Sequence, residues 1–314
     1  MYSSRRNFIK KVTTGAAILA APAILESAKA SGLQKASDAT APFKLKYAPG
    51  LGMFRQHAGQ DPIDNIKFCH DQGFRAVFDN GLMRRTPEDQ VKITDELRRL
   101  DMDLGPFVLR ADSGKQDFVL NGQEVRDMLI ASMKEGVEVA KRTGAKLALV
   151  VLGRYDVKLH RDYQTANAID NLRYCCDVME PEGVTIVIEP LNNYINHPGL
   201  FLTGIPQAYS ICRAVNRSSC KIVNDLYHQQ ISEGNLIPNI EAAWSEIAAF
   251  HLGDSPGRNE PTTGEINYKN IFKYLYNKKY DGTLCMEHGI SNRGTKEGEA
   301  RVIQAYRECD SFEV

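Results

Sequence analysis

The sequence predicts a single α/β domain, a closed (β/α)8 barrel over residues 43–314. Three observations lead there. Short β-rich runs alternate eight times with amphipathic helical segments. The runs are nearly continuous apolar stretches, such as Leu147-Ala148-Leu149-Val150-Val151-Leu152, the pattern of parallel strands covered on both faces. Gly73, Gly144, Gly183 and Gly282 each fall between a helical segment and the next run, where a helix-ending glycine belongs. The main alternative is an open doubly wound sheet, which often carries Gly-x-Gly-x-x-Gly after its first strand. Here the first run leads into Pro49-Gly50-Leu51-Gly52, with no third glycine at the right offset.

The strands are expected at 43–48, 76–79, 104–109, 146–152, 185–189, 221–225, 249–252 and 283–287. The helices between and after them are expected at 62–72, 87–100, 122–143, 163–179, 205–215, 236–247, 268–277 and 296–309. No low-complexity linker or second domain interrupts the beat.

Residues 1–30 read as an address, with 31–42 as a linker. Ser4-Arg5-Arg6-Asn7-Phe8-Ile9-Lys10 precedes a short apolar run, Gly15 to Ala21, and then the small-x-small triplet Ala28-Lys29-Ala30. The apolar run is shorter than the roughly 20 residues of a membrane span. The paired arginines resemble a twin-arginine export signal, which implies the twin-arginine machinery as a partner and a periplasmic destination. Retention of the leader as a membrane anchor stays open.

Lys plus Arg and Asp plus Glu each total 39, so the formal net charge is zero, and 43% of residues are hydrophobic. That balance excludes a disordered or fibrous chain and gives no support for nucleic-acid binding, which needs a basic face. The cysteines number seven, lack a Cys-x-x-Cys spacing and lie largely in apolar segments, so they read as buried thiols that specify no disulfide.

The chemistry is written at the ends of the last four strands. They end in Glu189-Pro190-Leu191-Asn192, Asp225-Leu226-Tyr227-His228, His251-Leu252-Gly253-Asp254 and Glu287-His288-Gly289. An acid, an acid, a histidine and an acid thus recur at equivalent positions, 36, 26 and 36 residues apart. Barrel active sites form at the C-terminal ends of strands, so Glu189, Asp225, His251 and Glu287 are expected to converge. Three carboxylates together repel, and a divalent cation removes the conflict. An oxygen-rich set with one nitrogen suits magnesium, manganese or cobalt.

Ile188-Glu189-Pro190-Leu191-Asn192, Asp225-Leu226-Tyr227-His228 and His251 to Arg258 resemble the xylose isomerase-like superfamily of TIM barrels. Pro198-Gly199-Leu200-Phe201-Leu202 and Asn259 to Tyr268 are similar to its hydroxypyruvate isomerase branch. The resemblance is strong over 184–290 and only in outline before that. It implies a metal held by Glu189, Asp225, His251 and Glu287, with Glu189 and Glu287 as the proton-shuttling catalytic residues. It implies a metal-dependent isomerase of a small α-hydroxy carbonyl compound, hydroxypyruvate and tartronate semialdehyde first, by proton transfer through an enediolate, with a ketose 3-epimerase or other sugar isomerase as the second reading; a non-catalytic secreted sugar-binding barrel is the competing reading from another class. It also implies substrate contacts from His228 and Arg258, and Glu265, in the Gly-Glu-Ile-Asn-Tyr motif, is expected either at the substrate or as a residue that positions the loop or Arg258. Asp254 is expected as a partner of His251, Asn192 and His288 as weaker neighbours, and Arg154 as either an anion anchor or a solvated arginine. Strand two ends Phe78-Asp79-Asn80-Gly81, a departure from the superfamily pattern at the far end of the pocket. A homo-oligomer is left open by the sequence.

Overall fold

A computed structural model describes residues 41–112 and 114–314. The expected export signal at 1–30, and residues 31–40 of the expected linker, lie outside the described residues. The strands are β1 (Lys46–Pro49), β2 (Ala76–Val77), β3 (Asp103–Leu104), β4 (Phe107–Arg110), β5 (Leu147–Val150), β6 (Thr185–Ile188), β7 (Cys220–Asp225), β8 (Ile247–His251) and β9 (Thr283–Met286). Seven of them form one parallel sheet in the order β1-β9-β8-β7-β6-β5-β4, and β2 pairs with β3. The chain itself joins β3 to β4, so these two make one stave. Pro106 between them has no amide hydrogen, and a central strand cannot run unbroken through it. Gly105 still donates to Val77 O at 2.8 Å before the interruption. The cylinder closes between β1 and β2 by the Gly50–Phe78 bridge, with Phe78 N to Pro49 O at 3.1 Å and Leu51 N to Phe78 O at 3.0 Å. The expected eight-stave (β/α)8 barrel is therefore present.

The helices are α1 (Arg55–Ala58), α2 (Pro62–Asp71), α3 (Pro87–Arg99), α4 (Gln123–Thr143), α5 (Arg161–Met179), α6 (Ile205–Val215), α7 (Leu226–Ser232), α8 (Leu236–Ala243), α9 (Tyr268–Asn277) and α10 (Lys296–Asp310). Their starts follow local chemistry. Asp61 and Thr86 cap α2 and α3, each followed by a proline whose fixed φ suits the first helical position. Thr295 caps α10. Gly144 ends α4 in the left-handed conformation at φ 71°, which an L side chain rarely adopts. The expected helix at 236–247 is cut short at Ala243, and residues Trp244–Glu246 tighten into a 3-10 turn.

Alternation along the strands sorts side chains to two faces. Ala148, Val150, Ile186, Ile188 and Ile222 pack outward into the cluster shared with helices, including Leu172 of α5 and Ile211 of α6. Phe250, Leu284 and Met286 join a second outer cluster with Phe272 of α9 and Val302 of α10. The intervening residues Leu149, Val187, Val223 and Ala249 form a separate inner cluster. Cys285 packs inside with Ala48, Ala76 and Phe78. The seven cysteines are buried free thiols, as the sequence suggests.

Candidate metal centre

The same alternation builds the site. Val187, Val223, Ala249 and Cys285 face inward, and two residues further along each strand direction stand Glu189, Asp225, His251 and Glu287. One pleat thus sets an apolar layer beneath a ring of donors. One ligand atom from each of the four lies within 4.8 Å of every other. Glu189, Asp225 and His251 are 5%, 1% and 0% exposed, and the Glu287 side chain is 22% exposed.

His251 Nδ1 lies 3.0 Å from Glu189 Oε1 and 3.2 Å from Glu287 Oε2. Arg258 Nη2 donates to Glu287 Oε2 at 2.7 Å and to Asp225 Oδ2 at 3.2 Å. Asn80 Nδ2 donates to the other oxygen of Glu287, Oε1, at 2.6 Å. Asp225 serves two structures at once, since its Oδ1 accepts the His228 amide at 3.1 Å and caps α7.

These surroundings drive the two glutamates apart. Burial is the largest influence on Glu189 and raises its carboxyl above the usual range, against the pull of His251. Burial also opposes ionisation of Glu287, but His251, Arg258 and the Asn80 hydrogen bond together outweigh it and hold Glu287 well below the usual range. Burial alone would push His251 down, and the facing acids, Glu287 foremost, instead hold it well above its ordinary value.

The donor set fits a divalent cation. Three ionised carboxylates meet one guanidinium, an excess of two negative charges that a proton on His251 would only halve and a divalent cation would cancel. The His251 nitrogen that faces the acids is Nδ1, while Nε2 is buried without a hydrogen-bond partner. A divalent ion of the oxygen-preferring kind matches three carboxylates and one imidazole.

Beside the acids lies a cavity of about 370 Å3, lined by Glu189, Glu287, Asn80, His197, His228 and Arg258 over an apolar floor that includes Leu149 and Val151. His228 is fully buried and burial pushes its imidazole down to about 4, so it is neutral near pH 7. Its Nδ1 accepts from Asn192 Nδ2 at 2.6 Å and from the Asn192 amide at 3.3 Å. That network assigns the hydrogen to Nε2, which has no hydrogen-bond partner.

The structure brings His228 and Arg258 to the cavity as expected, with Arg258 already engaged by two acids and resting over the Tyr227 ring at 4.9 Å. Glu265 is corrected as a substrate contact and takes the positioning alternative: it is exposed, it does not line the cavity, and it accepts from Ser255 Oγ at 3.3 Å and Gln230 Nε2 at 3.2 Å. It braces the loop that carries Arg258. Asp254 is another correction. It does not support His251 but accepts the amides of Gly264 and Ile266 at 2.8 and 3.0 Å, pinning the same loop. Asn192 holds His228, whereas the His288 ring is taken up by Tyr306 Oη at 2.9 Å. Arg154 is exposed and lies outside the cavity. Asn80 and His197 are cavity residues that the motif reading missed. Asn80 sits at the end of the second strand run, so the same strand-end reasoning extended to the first half would have found it.

Comparison with known proteins agrees with this architecture. Residues 66–308 match the xylose isomerase-like TIM barrel family. The chain is 32% identical over 186 residues to a hydroxypyruvate isomerase of Escherichia coli (strain K12), covering 59% of this chain and 69% of that one. It is 32% identical over 123 residues to a 2-oxo-tetronate isomerase of Cupriavidus necator, covering 39% of this chain and 47% of the relative. Among solved structures, an AP endonuclease of family 2 from Brucella melitensis superposes with a TM-score of 0.70 over 82% of this chain and 97% of its own, a likeness of fold at 24% identity. The matched stretch holds most of the barrel and all four donors, and the chain therefore belongs to the xylose isomerase-like TIM barrel family, as a hydroxypyruvate isomerase-like member.

Proposed function

We propose that the protein is a metal-dependent isomerase of α-hydroxy carbonyl compounds, with hydroxypyruvate and tartronate semialdehyde as the first candidate pair. The observation that carries this reading is the convergence of Glu189, Asp225, His251 and Glu287 within 4.8 Å beside a cavity that both glutamates line. The identity with a hydroxypyruvate isomerase supports the choice of substrate class.

Glu189, Asp225, His251 and Glu287 would hold a divalent ion, which would supply Lewis-acid polarisation of a carbonyl and positive charge. Glu287 removes the proton from the hydroxyl-bearing carbon, leaving an enediolate. Asn80 and Arg258 keep its carboxylate ionised and aimed. Glu189, the second glutamate lining the cavity, returns a proton to the neighbouring carbon. The hydroxyl proton passes between the two oxygens, Glu287 releases its proton to solvent and Glu189 regains one, so atoms balance, both glutamates are restored and no redox partner is needed. His228 Nε2–H, which makes no hydrogen bond and lies 3.6 Å from Asp225 Oδ2, donates to a substrate oxygen. General acid–base steps of this kind each contribute about 10²–10⁴-fold.

The test is hydrogen exchange. Incubated with hydroxypyruvate and a divalent metal in deuterated water, the protein incorporates solvent deuterium at carbon, and Glu287→Gln stops it. Undiminished exchange in Glu287→Gln eliminates Glu287 as the base.

A further inference from the structure

A second, larger cleft of about 650 Å3 opens beside the acid cluster. Glu287 lines both cavities, so a group held against that carboxylate has two directions in which to extend. Part of the wall is apolar, from Leu51, Phe78 and Ile290. The rim carries Arg55, the first residue of α1, and Arg293, in the turn before α10. Both are exposed. Arg55 commits Nε to Gly52 O at 3.0 Å, while Arg293 makes no hydrogen bond or ion pair among the described residues. The other acid of the cleft, Glu299, is 2% exposed and already satisfied by His57 Nδ1 at 2.7 Å and by the amides of Gln56 and His57 at 2.7 and 3.0 Å. The uncompensated charge facing the cleft away from Glu287 is therefore cationic.

Size points the same way. A three-carbon keto acid occupies on the order of 100–150 Å3, the space of four or five waters at about 30 Å3 each. The smaller cavity of about 370 Å3 already holds it with room to spare. The larger cleft has no task for such a molecule.

We infer, resting on the proton-transfer reading above, that the preferred substrate is a longer α-hydroxy carbonyl compound whose far end is anionic and is held between Arg55 and Arg293. Its carbonyl end meets Glu287, its carbon chain crosses the apolar wall, and the two guanidiniums receive a carboxylate or phosphate, a geometry to which their planar forks are suited.

The experiment compares three sugars with the same keto end and different far ends: D-fructose, 5-keto-D-gluconate and D-fructose 6-phosphate. Binding to the metal-loaded protein is measured by calorimetry, for the wild type and for Arg55→Ala, Arg293→Ala and the double variant. At least one anionic sugar is expected to bind about tenfold or more tighter than fructose, with that preference lost in the double variant and partly restored by Arg293→Lys. Tighter binding of the carboxylate or of the phosphate identifies the anion. Equal binding of all three sugars, or a preference that survives loss of both arginines, overturns the proposal. Because the readout is binding, this result stands apart from the Glu287→Gln exchange experiment, which tests the chemistry.

Discussion

Asn80 is the residue whose removal best separates positioning from folding. It contributes one hydrogen bond, to Glu287 Oε1. A hydrogen bond to a charged group is worth about 1.5–3 kcal/mol, or about 10- to 150-fold in rate if it is felt at the transition state. Asn80→Ala is expected to lower the deuterium-exchange rate by that factor while leaving the thermal midpoint nearly unchanged. A variant that melts early and exchanges normally would assign Asn80 to structure instead. The sequence hid this residue because its neighbour Asp79 carries the charge that draws attention at a strand end. Asp79 is in fact turned to Arg85 and to the Gly81 amide. Asp254 misled in the same way: proximity in sequence to His251 suggested a contact, but successive residues beyond a strand point apart, and its oxygens meet loop amides instead. Glu189, Asp225, His251 and Glu287 were legible because a two-residue period fixes which face each side chain takes once the strand is placed.

At the level of elements, α10 gives a clear conflict between propensity and packing. Gly298 lies in its first turn, and a Cβ there would stand 1.9 Å from the backbone oxygen of Asn292. Alanine gains about 1 kcal/mol of helix preference over glycine. Overpacking against a backbone atom costs about 1–3 kcal/mol and here cannot be relieved by a rotamer change. Gly298→Ala is therefore expected to be net destabilising in urea denaturation, and to weaken sugar binding at Arg293 by displacing the turn at 291–294. A stabilised variant would show that the turn yields freely. Most strands and helices were legible from their periodicity. The third stave was read as one run over 104–109, because its apolar pattern continues across Gly105 and Pro106 although its hydrogen bonds do not. Helix α7 was unreadable for a related reason. Asp225 ends the strand and caps the helix, so there is no loop between them to announce a change.

For the molecule as a whole, three buried donors and one partly exposed one, from four staves, would make a bound metal a structural tie as well as a reagent. A ligand present at 100 times its dissociation constant stabilises the folded state by about 2.7 kcal/mol. At about 2–4 °C per kcal/mol for a chain of this class, the midpoint is expected to rise by about 5–10 °C with metal and to fall back with a chelator. The shift should vanish in His251→Asn. An unchanged midpoint across magnesium, manganese and cobalt would count against a tightly held ion. The barrel was legible because eight repeats of one unit leave few other closed arrangements, whereas the larger cleft was not, since Arg55 and Arg293, far apart in sequence, come to line one cleft only when the ring closes.

That ring has a narrow join. Between β1 and β2 it is laced by one bridge, Gly50 to Phe78, and a two-residue strand. Gly50, Leu51 and Phe78 also face the larger cleft. An occupant of the cleft would thus lean on both lips of the slit and act as a clasp, slowing deuterium uptake at the Leu51 and Phe78 amides before any other part of the cylinder responds.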